Sequence, residues 1–256
     1  MTVHDLRSRI LESPLLTTFA GLGSTAAIEV LGWAGFDTVC VDAEHSALDP
    51  STIASMIRAA DAVGAAVLVR VPDHGSDIGR VLDLGAAGVL VPRVESAEQA
   101  RAVVSAVRYP PDGARGAGPG RAARYGTTMP EEVATANARV LCAVQVETVA
   151  GVEAVEEICA VEGLDVVMVG PGDLAVSMGA PPGSPAHDAA VEKILTAATA
   201  AGRSTGMFCL DPEQVERFAR RGVRMLVMGS DAGLLGAAAT QARDAAAAVL
   251  EAQVRS

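Results

Sequence analysis

Val166-Val167-Met168-Val169-Gly170-Pro171-Gly172-Asp173 is the stretch on which the fold turns. Four apolar residues stand in a row with no polar alternation. A strand with one wet face alternates, whereas an unbroken apolar run marks a strand covered on both faces, as in a parallel sheet under helices. The Gly-Pro-Gly turn ends that strand and opens a helix, leaving an acidic residue at the strand's C-terminal end. The same signature occurs upstream, where Thr38–Asp42, built on Val39-Cys40-Val41, runs into Ala43-Glu44-His45. Working outward, further strands are expected at Leu15–Ala20, Ala66–Val71, Gly88–Val91, Leu141–Val146, Ser204–Phe208 and Met225–Met228. Helical stretches such as Ser24–Ala34, Ser51–Val63, Ala97–Val107 and Glu153–Val161 lie between them. Asp49-Pro50-Ser51 and Asp211-Pro212-Glu213 place an N-cap before a helix-starting proline. Gly35, Gly64, Gly163, Gly202 and Gly222 follow helical runs as C-terminal glycines do. Eight such alternations predict an α/β fold, a single (β/α)8 TIM barrel. The 256 residues suit one such barrel, and no linker divides residues 1–256 into two domains. One segment breaks the rhythm: Tyr109–Met129, with three prolines and five glycines, reads as a long functional loop.

Half the residues are hydrophobic, which argues against disorder. Acidic residues outnumber basic ones, giving a net charge of −11, and such a surface repels nucleic acid and anionic membranes. No apolar run reaches the roughly 20 residues of a membrane span, and no basic segment followed by an apolar stretch suggests a signal peptide. Cys40, Cys142, Cys159 and Cys209 form no metal-type pair. Cys40 and Cys142 sit in apolar runs and read as reduced core residues of a cytoplasmic protein.

Catalysis in such a barrel sits at the C-terminal strand ends. The polar residues expected there are Asp42, Glu44 and His45 after the second strand, Arg70 after the third, Gln145 and Glu147 after the fifth and Asp173 after the sixth. Glu147 and Asp173 on consecutive strands supply hard oxygen ligands that suit Mg²⁺, Mn²⁺ or Co²⁺ with open positions for a chelating substrate. Taken singly, each carboxylate reads better as a helix cap; at adjacent strand ends the pair reads as readily as a metal site. Arg70 can grip a carboxylate or enolate oxygen, or pair with Asp42 or Glu44 across the mouth. His45 can move a proton near neutral pH; it alone of the four histidines stands at a strand end, with His4 terminal, His74 in a polar turn and His187 in a Pro/Gly-rich connection. The turn around Gly172 can offer bare N–H groups to an anion. A competing pattern is Gly21-Leu22-Gly23-Ser24-Thr25-Ala26, with Asp42 and Glu44 about 20 residues on, which reads as a dinucleotide fingerprint of an NAD-dependent oxidoreductase.

These motifs together resemble the HpcH/HpaI aldolases, the class II metal-dependent pyruvate aldolases of the phosphoenolpyruvate-utilising barrel superfamily. The blocks are Asp42-Ala43-Glu44-His45, Val69-Arg70-Val71-Pro72, Leu82-Asp83-Leu84-Gly85-Ala86, Tyr109-Pro110-Pro111-Asp112-Gly113-Ala114-Arg115-Gly116, Gln145-Val146-Glu147-Thr148 and Gly170–Gly179, in family order over nearly the whole chain. The resemblance implies cleavage or formation of 4-hydroxy-2-oxo acids, giving pyruvate and an aldehyde. It implies Glu147 and Asp173 as metal ligands and Arg70 at the pyruvate oxygen. It pairs His45 with Asp83 for proton transfer at the C4 hydroxyl. Gln145 supports metal or substrate, and the amides around Gly172 and Asp173 hold the substrate carboxylate. Phe19 stands where many members carry Trp and touches the substrate fit; Gly172 stands where many carry Ala. The resemblance implies that the loop after Arg115-Gly116 helps shape the aldehyde side. The resemblance also implies a homohexamer, a trimer of dimers, with the last helix, in the Ala-rich segment from Asp231, exchanged between protomers. The related citrate-lyase β-like group acts on acyl-CoA; for that chemistry Arg115, Arg121 and Arg124 are the phosphate-binding candidates.

Overall fold

The computed structural model describes residues 5–73, 75 and 77–254, so His4 and His74 lie outside the described residues. Eight parallel strands, β1 (Leu15–Ala20), β2 (Thr38–Asp42), β3 (Ala66–Arg70), β4 (Gly88–Val91), β5 (Leu141–Val146), β6 (Val166–Val169), β7 (Ser204–Cys209) and β8 (Met225–Ser230), pair in sequence order. β8 closes on β1 to complete the barrel. The helices in chain order are α1 (Leu6–Glu12), α2 (Thr25–Trp33), α3 (Pro50–Ala62), α4 (Asp77–Asp83), α5 (Ala97–Val107), α6 (Met129–Arg139), α7 (Val149–Glu153), α8 (Val155–Cys159), α9 (Pro171–Met178), α10 (Pro185–Ala200), α11 (Pro212–Arg220) and α12 (Asp231–Val254).

Local chemistry accounts for the boundaries. Asp49 and Asp211 cap α3 and α11 by accepting backbone N–H bonds, each ahead of a first-turn proline. The five glycines expected after helices all have positive φ, a conformation open to glycine without steric cost. The helix expected over Glu153–Val161 is instead two short helices, α7 and α8, broken at Ala154, whose ψ of 5° leaves the helical range.

Side-chain alternation along the strands sorts the core into two shells. Val39, Val41, Val67, Val69, Val167 and Val169 point outward and pack under the helices. Cys40, Leu68, Ala143 and Met168 point inward and fill the barrel with Leu6 and Ile10 of α1, which plugs its floor. Below the floor Arg7 and the buried Arg108 both clamp Asp165, which also accepts the Cys142 N–H. The same alternation, continued upward, turns Asp42, Arg70, Gln145 and Glu147 inward at the mouth. All four are almost fully buried.

The long loop lies at the other end of the barrel. Residues 109–128 join α5 to α6 and include a 3-10 segment, Arg121–Gly126, which packs on α4 and against Gly85, just ahead of β4. Helices run back from the strand C-termini, so their far ends and the connections into the next strands gather at the N-terminal face. This loop therefore does not line the mouth of its own barrel.

Candidate active site

At the mouth, Arg70 crosses from β3 to β2 and grips Asp42 with two bonds, Nε to Oδ1 at 2.9 Å and Nη2 to Oδ2 at 2.7 Å. Its Nε also lies 3.3 Å from Glu44 Oε2. The guanidinium stacks on Phe19, 4.3 Å from the ring centre, and Phe19 leans on Phe208. Burial works against the Asp42 charge, yet the forked arginine overrides it and holds this carboxyl below its ordinary value. The ion pair foreseen for Arg70 is thus present, and it fixes the guanidinium in the mouth as a permanently charged group. Asp42 Oδ1 also accepts the Glu44 and His45 N–H groups and shapes the turn that follows β2.

Glu147 stands one residue beyond β5 and is 2 % exposed. Oε1 accepts the Arg93 N–H at 2.9 Å, and Oε2 accepts from the Gln145 side-chain amide. Burial pushes its pKa up to about 7; the Arg93 N–H opposes the shift, and the charges of Asp173 and Glu44 add to it. Arg93 makes its contact from a positive φ of 52°, a costly conformation for a residue with a side chain. Gly170 makes room, since a Cβ there would overlap Glu147 Oε2 and the Gln145 amide. Asp173 is the third residue of α9 and makes no side-chain cap bond; α7 is capped by Thr148 instead. Neither carboxylate serves as the helix cap it resembled when taken alone.

The structure brings Phe19, Arg70, Gln145 and Glu147 to the mouth, with Asp173 close enough for its charge to act on Glu147. His45, largely exposed, faces Glu44, with 3.4 Å between Nε2 and Oε2. It does not meet Asp83 within the chain. Asp83 is the last residue of α4, at the N-terminal face, where it accepts a bond from the buried Arg115 at 2.9 Å. One residue follows a strand and the other ends a helix running the opposite way, which separates them within one barrel. Glu44, foreseen as a possible partner of Arg70, lies between Arg70 and His45. Its pKa is raised by burial against the pull of Arg70 and His45. Arg93 had no signal in the sequence, since it acts through its backbone.

The dinucleotide pattern also dissolves. The Gly21 and Leu22 N–H groups, which would cradle a pyrophosphate, both donate to the carboxylate of Asp231 at 3.0 Å. Asp42, the residue expected on a ribose, is held by Arg70. Arg115 and Arg121, candidates for a CoA phosphate, pair with Asp83 and Asp61 at the N-terminal face.

With this geometry in place, the likeness to known proteins carries weight. The family model described as HpcH/HpaI aldolase/citrate lyase matches residues 16–238. The chain belongs to that family. A hydroxypyruvate/pyruvate aldolase of Roseovarius nubinhibens is 40 % identical over 232 residues, covering 89 % of this chain and 90 % of the relative. A 4-hydroxy-2-oxovalerate aldolase of Novosphingobium aromaticivorans is 37 % identical, covering 90 % and 89 %. Among solved structures, an HpcH/HpaI aldolase/citrate lyase family protein from Burkholderia cenocepacia superposes with a TM-score of 0.90 at 35 % identity, covering 95 % of this chain and 99 % of that one. Within the HpcH/HpaI family the chain is an aldolase, a carbon–carbon lyase acting on small molecules. No described helix is long and apolar enough to cross a membrane.

Proposed function

We propose that the chain is a divalent-metal-dependent pyruvate aldolase that cleaves or forms 4-hydroxy-2-oxo acids at the barrel mouth. The carrying observation is Glu147: an almost fully buried carboxylate, raised toward pKa 7 and facing the charges of Asp173 and Glu44. Such a group is costly without a cation. The Gln145 side-chain amide oxygen, Oε1, beside it is buried without a hydrogen-bond partner, so the donors fit a hard divalent ion held by Glu147 and Asp173. Among the described residues no group of three or more His, Cys, Asp or Glu converges into a closed cage, in keeping with a two-carboxylate site that leaves positions for substrate. Mg²⁺, Mn²⁺ and Co²⁺ all satisfy this donor set. When bound, the ion supplies Lewis acidity to the keto and carboxylate oxygens of the 2-oxo acid.

The chain's own groups do the rest. The N–H groups of Gly172 and Asp173, at the uncapped start of α9, receive the substrate carboxylate. Phe19 walls the donor end. His45, steadied by Glu44, takes the C4 hydroxyl proton. The C3–C4 bond then breaks, its electrons passing into the pyruvate enolate as C4 becomes the aldehyde carbonyl. Arg70 keeps a fixed positive charge beside the developing enolate oxygen, held there by Asp42 rather than reorganising during the reaction. C3 of the enolate then takes a proton from water, giving pyruvate, and the exposed His45 returns the hydroxyl proton to solvent. Lys193, the chain's single lysine, lies in α10 away from the strand ends, and this route needs no Schiff base. Helix α12 leaves most of its surface exposed, including Leu235, Val249 and Leu250. This supports its exchange between protomers of a homohexamer. The four buried cysteines suit a cytoplasmic setting.

The test is exchange of the pyruvate methyl protons for deuterium, followed by NMR. Exchange is expected with Mg²⁺, Mn²⁺ or Co²⁺, absent with EDTA and absent in Glu147→Ala. Protein that catalyses no exchange with any of the three ions overturns the proposal.

A further inference from the structure

His187 had no role in the sequence reading. In the structure it is 4 % exposed, in the first turn of α10, and both ring nitrogens are engaged. The Gly183 N–H donates to Nδ1 at 3.3 Å. Nδ1 therefore carries a lone pair and the ring proton sits on Nε2, which donates to the Pro171 carbonyl oxygen at 2.9 Å. Asp188 Oδ1 is 3.7 Å from Nδ1, beyond hydrogen-bond distance.

The Pro171 carbonyl and the Gly172 N–H are two ends of one peptide plane. A bond to the oxygen fixes where the N–H points and polarises it. Within α9 the same oxygen takes the first i→i+4 bond of the helix, from Ala175, so His187 adds a second bond from outside the helix. The Pro171 ring sets φ but leaves ψ, which swings the plane. Gly172 has open space where a Cβ would stand, and the start of α9 has no side-chain cap. We propose that His187 is a positioning residue: through the Pro171 oxygen it aims the Gly172 N–H at the substrate carboxylate and holds Asp173 in register with Glu147. This rests on the reading of the α9 N-terminus as the carboxylate seat.

Oxalate with Mg²⁺ is the probe, titrated calorimetrically into the full chain. His187→Leu is expected to raise the oxalate Kd about tenfold, the scale of one lost hydrogen bond in a binding site. The KM for pyruvate in deuterium exchange should rise in parallel while kcat changes less. His187→Gln, whose amide nitrogen can reach the place of Nε2, should recover most of the affinity. Ile194→Val, a buried change in the same helix, should lower Tm and leave the oxalate Kd alone. A His187→Leu protein with lowered Tm and unchanged Kd overturns the proposal, as does a glutamine variant no better than leucine. Wild-type protein that ignores oxalate would instead count against the carboxylate seat itself. The Gly172 amide resonance then decides the positioning role separately: it must shift in His187→Leu, and an unmoved resonance refutes that role.

Discussion

Replacing Glu147 with glutamine should stabilise the metal-free protein at alkaline pH while abolishing its response to metal. The carboxyl rises from an ordinary 4.5 to about 7 in the folded chain. At about 1.4 kcal/mol per unit, folding disfavours its charged form by about 3 kcal/mol. The folded pKa lies above the unfolded one. The associated stability is therefore complete below pH 4.5 and is lost as pH rises through 7. Glutamine carries no such dependence. Its Oε1 can keep the Arg93 N–H, and its amide can meet the partnerless Gln145 oxygen after that side chain flips. The difference between variant and wild type in urea unfolding, in EDTA at one fixed protein concentration, should be near zero at pH 4.5. It should grow to about 2–3 kcal/mol in favour of the variant by pH 8. Adding Mg²⁺ at about 100 times its Kd should stabilise the wild type by about 2.7 kcal/mol and the variant hardly at all. A difference that stays flat with pH, or a variant less stable than wild type at pH 8, refutes the account of Glu147 as a buried charge awaiting a cation.

Other substitutions follow from the same geometry. His45→Gln should lower kcat for carbon–carbon cleavage by about 10²-fold or more, the scale of a lost general base, yet spare pyruvate methyl exchange, which involves no C4 hydroxyl; equal loss of both would remove His45 from that proton transfer. Gly170→Ala should weaken Mg²⁺ binding in calorimetry because its methyl overlaps Glu147 and Gln145, whereas Gly172→Ala, facing open space, should bind Mg²⁺ like wild type. Asp165→Asn removes the shared anion of Arg7 and Arg108 below the barrel floor; it should cost about 3–5 kcal/mol in urea unfolding, with Mg²⁺ affinity unchanged in the protein that remains folded.

Much of this molecule was legible in one dimension. Unbroken apolar runs such as Val166–Val169 marked several strands as covered on both faces, and eight strand candidates alternating with helical stretches implied closure. Polar residues at the ends of those runs, from Asp42 to Asp173, marked the mouth, because strand alternation is a local property that carries inward side chains to the rim. The partners across the mouth were decided by tertiary structure. Register between β2 and β3 sets Arg70 opposite Asp42, and closure lets Glu147 feel Asp173 and Glu44. Asp83 ends at the far face of its own barrel, in the grip of Arg115, because α4 runs back from the mouth. His187 looked idle until the packing of α10 on α9 set its ring against the Pro171 carbonyl. Sequence determines which residues a strand or helix presents, because φ, ψ and side-chain period are local. Which presented groups meet depends on shear, closure and helix packing, to which the whole chain contributes.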